Sequence, residues 1–181
     1  MVDYSEDPRP RRRRDFVERR AARAAARNEE DWHVYARNLC YRLLAAQERS
    51  RRQLRDAMER NLVPDEIAQA TFQAFVDAGL VDDERFAYMY VRSKFEGKVT
   101  TRRVLAQELR AKGVEGELAQ RALEQITVED ELAAAIAFAR KKAASMAGLE
   151  EEKKRRRLYG ALGRRGFSPE HIRQAMEAAL G

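Results

Sequence analysis

One helical pattern is written three times along this chain, and an internal repeat constrains the architecture before any other feature does. With Leu54, Leu105 and Leu158 aligned, further apolar residues coincide without gaps. They are Met58 with Leu109 and Leu162, Val63 with Val114 and Phe167, and Phe72 with Leu123 and Met176. Such small units bury their apolar faces by stacking on one another. The sequence therefore predicts an all-α fold of three tandem three-helix repeats that form an elongated, curved array.

Composition fits this architecture, since 36% of the residues are charged and 44% are apolar, as in long amphipathic helices. We expect a disordered, arginine-rich N-terminal arm over residues 1–30, with room for a nascent helix through Ala21–Ala26, because it has no sustained apolar face. A polyanion-binding arm is a second and compatible interpretation. The three repeats are predicted at residues 31–81, 82–126 and 127–181.

Helix termini can be predicted from capping chemistry. Side chains suited to an N-terminal cap occur at Asp82, Thr101, Thr127 and Ser168. At the end of the second helix of repeat one, Asn61 is predicted to take the left-handed conformation that terminates a helix.

Basic residues concentrate on the second helix of each repeat and acids on the third, and two arginine columns run in register through the repeats. In repeats one and two these arginines are predicted in the first helical turn, where the dipole disfavours them by roughly 0.3–1 kcal/mol each. A partner that supplies negative charge would explain the pattern, whereas local pairing on solvated faces is the alternative. The candidate binding residues are Arg51, Arg52, Arg55, Arg92, Lys94, Arg102, Arg103, Arg110, Lys112, Lys153, Lys154, Arg155, Arg156 and Arg157.

Catalysis, cofactors and metals are not indicated. His33 and His171 are predicted to be surface or cap residues, and neither has a cysteine or paired acid at ligand spacing. The single cysteine, Cys40, is predicted to pack in a core and fits a reducing cytoplasm. Most aromatic residues are predicted to pack in helix cores, so base stacking is a weak expectation; Tyr88 and Tyr159 are its only candidates, and core packing is favoured for both. No apolar run is long enough to span a bilayer, and no export signal is complete.

Repeat two carries residues that resemble the bacterial RecX family, and the resemblance extends over roughly residues 37–180. The motifs are Asp82-Asp83-Glu84-Arg85-Phe86-Ala87, Tyr90-Val91-Arg92-Ser93-Lys94, Glu108-Leu109-Arg110-Ala111-Lys112-Gly113, Gly79-Leu80-Val81 at the repeat junction and Arg165-Gly166-Phe167 near the end. The chain departs from the family pattern at Asn61-Leu62, where a Lys/Arg-Gly pair is usual.

The resemblance implies a monomeric regulator of the RecA recombinase, with no catalysis of its own. It would bind in the groove of the RecA–single-stranded-DNA filament and inhibit its ATPase, strand-exchange and co-protease activities. Double-stranded DNA stays open as a further partner. The rival hypotheses are a helical array that binds nucleic acid directly, without RecA, and a purely structural scaffold.

Overall fold

A computed structural model describes the backbone of residues 8–181 and the side chains of residues 15 and 18–181. Within these residues every regular element is an α-helix, which confirms the predicted all-α class. In chain order the helices are α1 (Pro8–Ala25), α2 (Glu29–Ala46), α3 (Arg51–Arg60), α4 (Asp65–Asp77), α5 (Asp83–Gly97), α6 (Arg102–Ala111), α7 (Gly116–Leu123), α8 (Val128–Ala144), α9 (Glu151–Gly163) and α10 (Pro169–Leu180).

Hydrogen-bonding side chains begin most of the helices, as the sequence predicted. Each of four predicted caps accepts a hydrogen bond from a backbone N–H of the first turn. These caps are Asp82, Thr101, Thr127 and Ser168. Two further caps were not predicted: the Asn28 side chain accepts a hydrogen bond from the Asp31 N–H at the start of α2, and the Ser50 and Gln53 side chains form a reciprocal capping box at the start of α3.

The described residues divide into two compact units, one that ends at Val81 (unit 1) and one over residues 82–181 (unit 2). Unit 1 has one core, among α2, α3 and α4, and unit 2 has two, one among α5–α7 and one among α8–α10. Leu54, Leu105 and Leu158 are each at most 1% exposed and occupy the same place in their cores. Burial of each contributes about 1.5–3 kcal/mol. The threefold, three-helix organisation is thereby confirmed.

The turn after the second helix has the same left-handed backbone in all three repeats. Leu62, Gly113 and Gly166 occupy equivalent positions, with φ of 58°, 82° and 86°. The prediction for Asn61 is therefore wrong, because its φ is −92° and the next residue makes the left-handed turn. The side-chain amide of Asn61 instead donates to the carbonyl of Ala57 at 2.7 Å, so the side chain satisfies an acceptor in the last turn of α3. The departure at this turn thus changes the residue and preserves the backbone.

Part of the segment predicted as a disordered arm is helical, since α1 occupies residues 8–25. Arginine and alanine have high helix propensity, which accounts for the helix. Ala24 packs against the unit 1 core, and the Arg27 guanidinium lies over the rings of Trp32 and Tyr35, at 4.8 and 4.0 Å. Residues 1–7 and the side chains of 11–14, on which the polyanion-binding interpretation of the arm depends, lie outside the described residues.

Within unit 2 the second and third repeats meet at the start of α6. The Thr101 hydroxyl lies 3.4 and 3.5 Å from the carbonyl oxygens of Arg165 and Gly166, and it can donate to either. A Cβ on Gly166 would lie 2.6 Å from Cγ2 of Val104, so only glycine fits here. Val99 also packs against the core of α8–α10. These contacts fix the N-terminus of α6 beside the turn that follows α9.

Candidate polyanion interface on the second helices

The candidate residues lie on or beside the second helix of each repeat, α3, α6 or α9, except for Arg92 and Lys94 on α5. Most of them are exposed, whereas Lys94, Lys112 and Lys154 are half-buried. As predicted, α3 and α6 begin with their arginine pairs. The equivalent pair on α9 lies one turn further in, behind two acids of the first turn.

Several candidate cations already have acidic partners on their own surface. Such exposed pairs contribute little to stability, about 0–1 kcal/mol each, but they lower the charge available to an external partner. The pairs are Arg92–Glu96 at 3.1 Å, Arg110–Glu115 at 3.4 Å, Lys153–Glu150 at 3.3 Å and Lys154–Glu151 at 3.0 Å. The alternative of local pairing therefore holds for these four residues.

One arginine column has no such partners. Arg52, Arg103 and Arg156 are exposed, and no acid among the described side chains lies within ion-pair distance of them. Arg155 and Arg157 on α9 share this property. An exposed guanidinium with five free donors suits a carboxylate or phosphate. We call Arg52, Arg103, Arg155, Arg156 and Arg157 the unpaired arginines.

The negative charge that the sequence assigned to a partner is supplied in part by the chain itself. At the start of α6, the Glu131 carboxylate of α8 accepts a hydrogen bond from the backbone N–H of Arg102. A carboxylate at this position compensates the positive end of the helix dipole. Glu131 engages the backbone, and no ion pair joins it to the side chain of Arg102 or Arg103 among the described residues. The two guanidinium groups stay available.

Two half-buried lysines surround an aromatic ring in repeat two. The Nζ atoms of Lys94 and Lys112 lie 5.4 and 5.1 Å from the centroid of Tyr90, in cation–π geometry. The Tyr90 hydroxyl donates to Glu108 at 2.8 Å, and Lys98 donates to the same carboxylate at 2.7 Å. Burial, together with this hydrogen bond and the Glu108 charge, raises the pKa of Tyr90. Burial opposes ionisation of Glu108, but the bonds from Lys98 and Tyr90 and the lysine charges lower its pKa overall.

Arg55 is held by packing. Its guanidinium lies 4.4 Å from the ring centroid of Phe72, beside a groove of about 460 Å³ that α3 and α4 line. Its stem and planar head therefore cover part of the core of unit 1. Of the candidates on α3, Arg52 is the one with neither an ion pair nor an aromatic neighbour among the described residues.

A group of arginines at the junction of repeats two and three was not among the predicted binding residues. Arg164 is exposed, and Arg165 lies over the ring of Phe138 at 3.9 Å. A terminal nitrogen of Arg103 approaches within 3.3 Å of the position that a Cβ on Gly166 would take, so positive charge from α6 and α9 concentrates there. Arg165 could have been found from the repeat alignment, since it is the equivalent of Lys112.

Two predictions about single side chains are wrong. Tyr88 and Tyr159 were predicted in cores but are 49% and 56% exposed. Tyr159 follows directly on the inward-facing Leu158, so it is rotated by about 100° away from the core face. His171 was predicted as a surface or cap residue. It is 8% exposed and therefore not on the surface, but its backbone N–H donates to the capping hydroxyl of Ser168, and its Nδ1 lies 3.8 Å from a Glu131 oxygen.

The described residues contain no cluster of three or more His, Cys, Asp or Glu side chains that could hold a metal ion. Burial raises the pKa of the Cys40 thiol to about 11, so this thiol is a poor nucleophile at neutral pH. Over the described residues, no helix has both the length and the apolar character needed to cross a membrane.

Comparisons with known proteins give one consistent result. The first, second and third three-helix domains of RecX match residues 36–73, 82–123 and 129–176. Regulatory protein RecX of Streptomyces lividans is 40% identical over 146 residues, 78% of each chain, and that of Thermobifida fusca is 40% identical over 77% of this chain and 75% of its own. The crystal structure of RecX from Lactobacillus salivarius superposes with a TM-score of 0.71 at 21% identity, covering 82% of this chain and 96% of its own, and so supports the fold alone.

Proposed function

Because this chain belongs to the RecX family, we propose that it is a regulator without catalytic activity of its own. It binds the filament that the RecA recombinase forms on single-stranded DNA and inhibits the ATPase, strand-exchange and co-protease activities of that filament. It acts as a monomer in the cytoplasm. The relatives carry the name of regulatory protein, and that role is the part of the proposal that family membership supports directly.

The observation that carries the proposed binding mode is the column of Arg52, Arg103 and Arg156. The same exposed guanidinium recurs in all three repeats, and none has an acidic partner among the described side chains. A filament of protein and DNA is a polymer of repeating anionic groups, so a repeating set of cations fits it. Several modest contacts on one molecule then combine by effective concentration.

A triple variant, R52Q/R103Q/R156Q, tests the column. Its matched control is R121Q/R140Q/R173Q, which removes the same charge from three exposed arginines that the structure engages internally. Arg121 pairs with Glu84, Arg140 donates to the carbonyl of Ala178, and Arg173 pairs with Glu170. Inhibition of the RecA ATPase on single-stranded DNA is measured as a function of protein concentration at two salt concentrations.

We expect the column variant to need at least about tenfold more protein for half-inhibition, since each charge-assisted contact contributes about 1.5–3 kcal/mol. Its inhibition should also depend less on salt, because fewer counterions are released. The control should behave like the wild-type protein. If both variants lost the same inhibitory potency, the net charge of the protein, and not the position of the column, would account for binding. Binding to bare DNA with no effect on RecA would favour the rival hypothesis of a direct nucleic-acid-binding protein.

A further inference from the structure

Among the large apolar and aromatic residues that the structure describes, Tyr159 is the most exposed, at 56%. It lies in the middle of α9, between Leu158 and Gly160. More than half of the surface of Tyr159 faces water, so it contributes less burial to the fold than its neighbour Leu158, which is fully buried. An exposed ring on a basic helix is the feature that the proposed function leaves unexplained.

Three exposed arginines lie near Tyr159 along the helix. Arg155 and Arg156 precede it by four and three residues, so they share its helix face. Both belong to the unpaired arginines. Arg164 follows the helix, and one of its terminal nitrogens lies 3.3 Å from the position that a Cβ on Gly160, the residue next to Tyr159, would take. Two cations thus precede the tyrosine along the chain and one follows it.

Two glycines keep this part of α9 flat. Gly160 lies inside the helix, where it costs roughly 0.5–1 kcal/mol relative to alanine, and Gly163 is the last residue of the helix. Packing does not require either: a Cβ on Gly163 would meet nothing within 4 Å, and one on Gly160 would meet only the flexible end of Arg164. The equivalent positions in repeat two are Gln107 and Arg110. Glycine at both positions leaves room for a flat group to approach Tyr159.

We propose that Tyr159 is a stacking platform for an unpaired base of single-stranded nucleic acid, with Arg155, Arg156 and Arg164 contacting the flanking phosphates. Bases of a single strand expose their faces, whereas those of a duplex are stacked, and every base can stack on an aromatic ring. An acidic protein surface would satisfy the arginines but would leave the ring and the flat surface without a role. The inference rests on the proposed function, since it assigns a strand-contacting site to repeat three of the regulator.

The test measures binding of the full chain to a fluorescent oligothymidylate by polarisation, without RecA. Wild type, Y159A, Y159F and Y88A are compared, and Tyr88 is a matched control because it is 49% exposed on α5. A second oligonucleotide with abasic sites keeps the phosphates and removes the bases. Loss of one stacked base corresponds to roughly five- to 100-fold in affinity.

We expect Y159A to weaken binding to oligothymidylate by about tenfold, while Y159F and Y88A bind as the wild type does. On the abasic strand, wild type and Y159A should bind equally. The site is overturned if Y159A binds oligothymidylate as well as the wild type, if Y88A loses as much, or if the loss persists without bases. Weakened inhibition of the RecA ATPase by Y159A, with unchanged binding to the bare strand, would assign the ring to a protein contact and would also overturn the site. In that last case the proposed regulatory function would stand.

Discussion

Replacement of Gly166 by alanine should destabilise unit 2 through two separate physical effects. The backbone φ is +86°, in the region that L-residues avoid. An added Cβ would also lie 2.6 Å from Cγ2 of Val104 and 2.8 Å from Oγ1 of Thr101. Thr101 is buried, and its hydroxyl accepts a hydrogen bond from the backbone N–H of Val104, so these two neighbours have little room to move.

The two effects have different sizes and can be separated. The left-handed backbone costs an alanine roughly 1–2 kcal/mol, and the forced displacement of packed neighbours adds about 1–3 kcal/mol. G166A should therefore lose about 2–5 kcal/mol of unfolding free energy. Gly116 provides the matched control in the same unit, since its φ is +64° and an added Cβ would meet nothing within 4 Å. G116A should lose only the first, smaller amount.

Urea denaturation followed by two signals measures the effect. Far-UV circular dichroism reports helix loss in both units, whereas the fluorescence of Trp32, the single tryptophan, reports the core of unit 1. With a denaturant slope of about 2 kcal/mol per molar, G166A should shift the unit 2 transition down by about 1–2.5 M. The Trp32 transition should stay in place. Adding V104A to G166A removes the closest clash and should recover part of the loss.

Two outcomes would refute this reasoning. If G166A lost no more than G116A, the approach of α6 to the turn after α9 would be looser than the structure has it. If the Trp32 transition moved together with the circular dichroism signal, the stability of unit 1 would depend on the junction inside unit 2.

Three further predictions concern single side chains. L62G should stabilise unit 1 by about 0.5–1 kcal/mol, because relief of the left-handed leucine backbone outweighs the added entropy of the unfolded glycine; a Trp32 transition at lower urea would contradict this. The buried Cys40 thiol should resist alkylation by iodoacetamide at pH 8 and react on unfolding, whereas labelling of the folded chain at the rate of a free thiol would contradict its burial. Because the folded-state pKa of Glu108 is lowered, its contribution to stability is present above about pH 5 and is lost as the pH falls through the folded pKa. E108Q should therefore be less stable than the wild type by up to about 1 kcal/mol at pH 7, and acidification should destabilise it less than it destabilises the wild type. Parallel plots of unfolding free energy against pH for the two proteins would contradict the role of the bond from Lys98 to Glu108.

The parts of the fold that follow local rules could be predicted from the sequence. The repeat could be recognised from aligned apolar residues such as Leu54, Leu105 and Leu158, because each is buried at the same position of its core. Caps such as Asp82 and Thr127 could be predicted because each depends only on a hydrogen bond between its side chain and a backbone N–H two or three residues further on. Helix propensity, periodicity and capping act over one or two turns, so a single sequence contains them in full.

Features that depend on residues far apart in the chain could not be predicted. Leu62 has the left-handed backbone of its equivalents in the other repeats, although leucine itself disfavours that conformation. The contact of Thr101 with Gly166 joins residues that are 65 positions apart. The same limit applies to the candidate site. Position on a basic helix identified Arg103, but only the structure distinguishes it from Arg110, which is paired with Glu115.

The distribution of partners on α9 connects this surface to the chemistry of its ligand. Glu150 and Glu151 pair with the two lysines of the helix, and the three arginines that follow have no acidic partner among the described side chains. Lysine offers a compact point charge, whereas arginine offers a planar fork that binds the two oxygens of a carboxylate or phosphate together. If net charge alone mattered, either kind of cation could have been left unpaired. The unpaired residues on this helix are the ones with forked donors, and two of them, Arg155 and Arg156, share a helix face with the exposed Tyr159. A ligand with oxyanions and flat faces on one chain, as in single-stranded nucleic acid, uses both properties at once.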